Sequence, residues 1–185
     1  MFLVSNVVNG VKGGVTSTLK GVTDIAGSVV TSVKDITITT LKETGEFAKE
    51  GIDIPASLIK GAFSGLAEIG STTVESVKGV VTGTVEGFMN SGGTQDAAVK
   101  GTVAQSIESA KDLGNDVGDT AVAAVKGSVD AVGKTGGDTV EALRTAVTTA
   151  VDTAKGLGED SANAVKESLK SGVDGADKII DSIKK

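Results

Sequence analysis

The chain has 185 residues and a formal net charge of −6, and it contains no His, Cys, Trp or Tyr. The missing cysteine excludes disulfides and thiolate catalysis, and the missing histidine removes the commonest general base and metal ligand. The acidic balance offers no basic patch for a nucleic acid.

An eleven-residue repeat runs through the chain without insertion. When the sequence is cut every eleven residues from Met1, basic side chains recur at the first position and apolar side chains at the eighth and eleventh. Eleven residues make three helical turns at about 3.67 residues per turn, close to the natural α-helix. The apolar positions then fall on one side of the helix and the charged positions on the other, so the repeat predicts amphipathic helices.

The first predicted elements are amphipathic helical repeats over residues 1–50, with the helix beginning near residue 2. A Gly/Pro kink follows at 51–55, because Pro55 removes a helix donor and pushes the residue before it toward extended backbone. Further helical repeats cover 56–89.

A turn is predicted at 90–94, where the sequence reads Asn-Ser-Gly-Gly-Thr. The last helical repeats cover 95–185, with one helix over 95–182 and a weaker break at 135–137. The breaks are read either as kinks or as hairpin turns. The predicted fold class is all-α, with long amphipathic helices in an extended or hairpin array.

The apolar stripe along these helices is the predicted contact surface. Its members are Val8, Val11, Leu19, Val22, Val30, Val33, Leu41, Phe63, Leu66, Val74, Val77, Val85, Phe88, Val99, Ile107, Val129, Val132, Val140, Leu143 and Val151. The chain contains 26 glycines, each costing a helix about 1 kcal/mol relative to Ala, so an isolated helix is expected to be marginal. Helix formation therefore depends on burying this stripe against a surface.

The charges on the opposite side allow two interpretations. Four acid–base pairs are spaced three residues apart in favourable order: Glu75–Lys78, Glu108–Lys111, Glu141–Arg144 and Asp152–Lys155. They predict local pairs on a solvated helix face. The alternative is that the lysines meet acids of a neighbouring helix and set its lateral register.

Three segments resemble known families: KGVTDIAGSVVTSVKD (20–35), VKGVVTGTVEGF (77–88) and VGKTGGDTVEAL (132–143). They are similar to the tandem eleven-residue units of the long-repeat perilipins and the synucleins, which are rich in Val, Thr, Gly and Lys. The resemblance is one of pattern and covers most of the chain. It implies a protein that is weakly structured in water and becomes helical on lipid droplets or vesicles. Unlike synuclein repeats, these repeats are acidic.

Two functions fit these features. The first is a coat on a lipid droplet or membrane, where length supplies affinity because the stripe is only mildly apolar. The second is a self-assembling structural protein that forms helical filaments or layers, since small residues let helices approach closely. Ice binding by regularly spaced threonines is disfavoured because the threonine series is broken.

No catalytic, cofactor or metal site is predicted, and the protein is expected not to be an enzyme. The adjacent Glu159 and Asp160 lie on the solvated face, and Gly133-Lys134-Thr135 lacks the other features of a phosphate-binding loop. The predicted partners are a lipid surface or further copies of the chain, with no nucleic acid and no small-molecule substrate. The sequence has neither a run of about 18 apolar residues nor a basic leader, which favours a cytoplasmic or lipid-surface location.

Overall fold

A computed structural model of the protein describes residues 2–19, 25–44 and 53–183. The all-α prediction is confirmed, because these ranges contain helices and no strand. The helices are α1 (Phe2–Leu19), α2 (Ile25–Thr44), α3 (Asp53–Glu68), α4 (Val74–Asn90), α5 (Gln95–Leu113), α6 (Val117–Lys134), α7 (Thr139–Leu157), α8 (Glu159–Gly172) and α9 (Ala176–Ile183).

A glycine with positive φ ends each helix from α3 to α7. These glycines follow one another at equal intervals, each as long as two of the predicted eleven-residue units, and are Gly70, Gly92, Gly114, Gly136 and Gly158. At the end of α5, φ is 73° and ψ is 20° at Gly114, the left-handed conformation that glycine adopts without strain. One helix and the turn after it therefore occupy two repeat units.

Polar N-caps begin α4 to α7, whereas α8 follows Gly158 and has no side-chain cap. The Thr73 hydroxyl accepts a hydrogen bond from the backbone N–H of Ser76 at 3.2 Å, and the Asp116 carboxylate accepts one from Asp119 at 2.8 Å. Asp138 caps α7 in the same way. Each cap satisfies a backbone donor that the first helical turn leaves without a partner.

The helices stack in two layers. Every helix from α1 to α6 packs on the helix two positions further along the chain, so α1, α3, α5 and α7 form one layer and α2, α4, α6 and α8 form the other. Consecutive helices also pack on each other, except α2 and α3, and the short turns between those from α3 onward make them antiparallel hairpins. The core lies between the layers and between neighbouring helices within each layer.

The prediction of one helix over 95–182 is wrong, because this stretch forms α5 to α9. The predicted helix over 56–89 is likewise divided into α3 and α4. The physical reason is the positive-φ glycine at each turn, which ends a helix although the apolar register continues across it. The result is a series of stacked hairpins of short helices in place of an extended array.

The remaining predicted breaks fall close to helix ends. Helix α4 ends at Asn90 and α5 begins at Gln95, so the chain turns within 90–94. Helix α3 begins at Asp53 and includes Ile54, so the predicted extended backbone before Pro55 is wrong. Pro55 lies in the first turn of the helix, where its missing backbone N–H leaves no helical bond unmade. Residues 20–24 and 45–52, within or beside the predicted first helix, lie outside the described residues.

Candidate helix-packing interface

The predicted apolar stripe is mostly buried inside the chain itself. The buried members are Val11, Val33, Leu41, Phe63, Leu66, Val77, Val85, Phe88, Val99, Ile107, Val132 and Val151. Four more are half-buried: Val8, Val30, Val129 and Leu143. Val74 and Val140 are 50% and 71% exposed, and the side chains of Leu19 and Val22 lie outside the described residues. The stripes of neighbouring helices therefore supply the surface on which each helix rests.

A second series of core residues recurs once in every two repeat units. Its members, all with 0% exposure, are Val15, Thr37, Ile59, Val81, Val103, Val125, Val147 and Leu169. They lie one turn after the eleventh-position residues and were not among the predicted contact residues. Their regular spacing shows that successive helices present the same face to the core.

Glycines bring the backbones of stacked helices into contact. A Cβ atom added at Gly61 would lie 2.5 Å from the carbonyl oxygen of Val8, and one at Gly127 would lie 2.9 Å from that of Lys78. Real Cβ atoms do not approach other heavy atoms this closely. Because glycine weakens a helix by about 1 kcal/mol relative to Ala, its presence at these contacts indicates helices adapted to pack on one another.

In the described residues, ion pairs link α1 to α3, α2 to α4 and α4 to α6. Lys12 pairs with Glu68 at 3.1 Å, and Lys78 with Asp130 at 2.7 Å. Of the four predicted local pairs, the described residues form only Asp152–Lys155, at 3.3 Å. The lysines that connect stacked helices thus agree with the second interpretation of the charge pattern, in which lysines meet acids of a neighbouring helix.

Glu86 on α4 is the one charged side chain in the core of the described residues, with 7% of the side chain exposed. Its Oε2 lies 3.2 Å from the Lys34 ammonium on α2, and its Oε1 lies 3.3 Å from that of Lys134 on α6. The second contact is an ion pair without hydrogen-bond geometry. One carboxylate therefore joins three successive helices of the same layer.

In the part of the chain that the structure describes, three buried hydroxyl groups have no hydrogen-bond partner: those of Thr37, Thr84 and Ser128. By contrast, the Thr102 hydroxyl donates to the carbonyl oxygen of Ala98 at 2.7 Å. A buried hydroxyl without a partner opposes folding, because it loses its hydrogen bonds to water. The interface is therefore closely packed, but it leaves these three hydroxyls without hydrogen bonds.

The outer faces of α1 and α2, on the side opposite α3 and α4, are exposed and consist mainly of small or polar residues. They are Asn9, Gly13, Ser17, Thr31, Asp35, Thr39 and Lys42. On α1, a Cβ atom at Gly13 would have no neighbour within 4 Å. No helix of the described residues covers this end of the stack.

The fold defines an all-α protein of short helices stacked in two layers. Neither a protein-family model nor a curated protein matches the sequence. In the described part of the chain, no helix is both long and apolar enough to cross a membrane. Nor do those residues contain a group of three or more His, Cys, Asp or Glu that could hold a metal ion.

Proposed function

We propose that the protein is a non-catalytic structural protein that assembles by continuing its helix stack from one copy to the next. The observation that carries this proposal is the placement of glycine at the stacked contacts. A helix that only rests on lipid has no need for glycine opposite a neighbouring backbone, whereas a stack of helices does.

The uncovered end of the stack supports the same proposal. The described outer faces of α1 and α2 carry mostly small or polar side chains, with Thr39 of α2 at the repeat position that glycine holds on the receiving faces of α4 and α6. Repeated units with uncovered contact faces tend to add further units in the same orientation. A second copy is therefore the partner that these faces fit best.

Sedimentation velocity and negative-stain microscopy over a range of protein concentrations, without lipid, test the proposal. We expect the particle mass to rise with concentration and elongated or layered particles to appear. The helix content per chain should stay nearly constant, because each chain is already folded. A protein that remains monomeric at every concentration contradicts the proposal.

A lipid coat is the second candidate, and the three unpartnered hydroxyls favour it. They weaken the closed stack, and the apolar stripes become available to lipid only when stacked helices separate. On this account, binding to vesicles or a neutral-lipid emulsion opens the stack.

An engineered disulfide separates the two candidates. A Cβ atom at Gly172 on α8 would lie 3.7 Å from that of Val122 on α6, a separation that suits a disulfide, and the natural chain has no cysteine. The oxidised Val122→Cys/Gly172→Cys variant cannot separate α6 from α8, and its reduced form is the matched control. If the protein assembles by stacking, both forms assemble alike. If it coats lipid by opening, the oxidised form floats with the emulsion less than the reduced form does.

A further inference from the structure

The last helix is much shorter than the others. Helix α9 has 8 residues, whereas α1 to α8 have between 14 and 20. It packs mainly on α7 and less on α8, and Ala176 and Ile180 are its fully buried residues. Helix α9 therefore occupies the next place in the layer after α7.

The cover that α9 gives to α7 is incomplete. Gly175, just before α9, lies beside Leu143, one turn along α7 from Val140. Val140 is 71% exposed, more than Val74, which holds the same repeat position on α4 and is 50% exposed beneath the full-length α6. A helix of 8 residues is about 12 Å long, less than half the length of α7.

The two ends of the stack differ in the density of exposed charge. The outward side of the short helix α9 exposes Asp177, Lys178 and Asp181, whereas the outer faces of α1 and α2 together expose only Asp35 and Lys42 among the described residues. Terminal units of repeat proteins usually carry a polar outer face that stops further stacking. By this criterion the charged outer side of α9 closes its end of the stack more strongly than the pair α1–α2 closes the other, because the described outer faces of α1 and α2 carry fewer charges.

Two cations at the closed end lack the partner on a stacked helix that three equivalent lysines have, whereas the equivalent Lys100 on α5 pairs with Asp96 of its own helix. Lys12, Lys34 and Lys78 each pair with an acid on the helix two positions further along. Arg144 on α7 and Lys166 on α8 share their position in the repeat, yet within the described residues they form no ion pair. They lie where a further pair of helices would stack.

We propose that α9 is a displaceable cap, and that the end of the stack beneath it binds the outer faces of α1 and α2 of a second copy. This proposal rests on the proposed function. In the assembled state, α1 of the second copy takes the place of α9 on α7, and its α2 stacks on α8. The contact between copies then continues the interface that joins α1 to α3 and α2 to α4 within one chain.

The repeat also places two unfavourable residues at this contact. Thr39 on α2 occupies the position that Gly83 holds on α4 and Gly127 on α6, so its side chain keeps the two copies further apart than helices within one chain. Lys42 on α2 occupies the position that Glu86 holds on α4 and Asp130 on α6. Those two acids pair with Lys34 and Lys78 of the preceding helix in the layer. In the assembled state Lys42 therefore faces Lys166 of the neighbouring copy, and this like-charged pair weakens assembly.

Full-length variants that release α9 test the cap. Ile180→Asp and Ala176→Asp each place a charge at a fully buried position of α9, and Ser182→Asp adds the same charge at an exposed position of that helix. Burying one isoleucine side chain changes an equilibrium by roughly tenfold or more. We therefore expect the concentration at which assembly begins to fall roughly tenfold in Ile180→Asp, less in Ala176→Asp, and not at all in Ser182→Asp.

Light scattering measures that concentration, and circular dichroism verifies that the variants keep the helices before α9. If all variants assemble at the same concentration as the natural chain, α9 is not a cap, although the proposed function stands. If neither the natural chain nor any variant assembles, the proposed function fails and the cap with it.

A charge change at Lys42 tests which surface meets the uncapped end. Lys42→Glu supplies the acid that Glu86 and Asp130 supply elsewhere, so it should lower the assembly concentration of Ile180→Asp by up to about fivefold. Adding Lys166→Glu restores a like-charged pair and should cancel this gain. If Lys42→Glu has the same effect with and without Lys166→Glu, α2 of a second copy does not stack on α8.

Discussion

Gly83 on α4 lies so close to Val30 on α2 that a Cβ atom at residue 83 would fall 2.6 Å from the carbonyl oxygen of Val30. The same relationship joins Gly61 to Val8, two repeat units earlier on both helices. The two layers therefore use one packing solution, in which a glycine of the later helix receives the backbone of the earlier one.

We expect Gly83→Ala to lower the free energy of unfolding by about 1–3 kcal/mol, because the added methyl group forces α2 and α4 apart. This loss outweighs the gain of about 1 kcal/mol that Ala brings to an isolated helix. Urea unfolding followed by circular dichroism measures the change.

Gly156→Ala is the matched control, since Gly156 is exposed on α7 and has no neighbour within 4 Å of the added methyl group. Its free energy of unfolding should stay the same or rise by up to about 1 kcal/mol. Equal stabilisation by both substitutions would show that α2 and α4 do not pack as described.

The turn glycines give a second prediction. At Gly114 φ is +73° and no atom lies within 4 Å of an added Cβ, so a substitution there tests backbone strain alone. We expect Gly114→Ala to lower the free energy of unfolding by about 1–2 kcal/mol, and Gly114→Asn to lower it less, because Asn tolerates the left-handed conformation better. Thermal unfolding of the two variants tests this order, and equal losses contradict it.

Glu86 should matter more than the exposed acids that make similar pairs. Glu86→Gln leaves Lys34 and Lys134 without their shared carboxylate, and we expect a loss of about 1–3 kcal/mol. Asp130 is 49% exposed, so Asp130→Asn should change stability by less than about 1 kcal/mol. Urea unfolding of both variants provides the comparison, and a smaller loss for Glu86→Gln than for Asp130→Asn contradicts the account.

The unpartnered hydroxyls predict a substitution that stabilises the protein. Thr84→Val replaces a buried hydroxyl that has no hydrogen bond with a methyl group of similar size, and we expect a gain of about 1 kcal/mol. Thr102→Val is the control, because the Thr102 hydroxyl already donates to Ala98. A thermal melt of each variant decides the matter: no gain in Thr84→Val, or an equal gain in both, means that the hydroxyl at residue 84 is satisfied.

Helix formation and the inward-facing side of most helices followed from the sequence, whereas the helix ends did not. The eleven-residue register is the reason. Its fourth position holds Val81, Val103 and Val125 in the core, but Gly92 and Gly114 at turns. In an eleven-residue repeat these core and turn residues share one position. In a repeat of twenty-two residues they occupy two different positions, one in the core and one at the turn.

The charged contacts were harder to predict for a different reason. In the repeat, Glu75 and Asp130 occupy the same position, on the polar side of the helix that also carries Lys78. Spacing along the sequence alone favours Glu75 as the partner of Lys78, because it is three residues away. Which acid Lys78 meets depends on the offset between α4 and α6, and that offset is fixed where Gly127 meets the Lys78 backbone. Close packing between distant segments thus decides a pairing that local spacing cannot.

The regular interval of the turn glycines bears on how such a chain changes length during evolution. After two of these intervals, which together contain two helices, the next helix lies in the same layer and runs in the same direction as the first. A duplication or deletion of four repeat units within α3 to α8 should therefore preserve every remaining contact type, whereas a change of two units exchanges the layers of all later helices. Natural variants of this protein are expected to differ by whole hairpins.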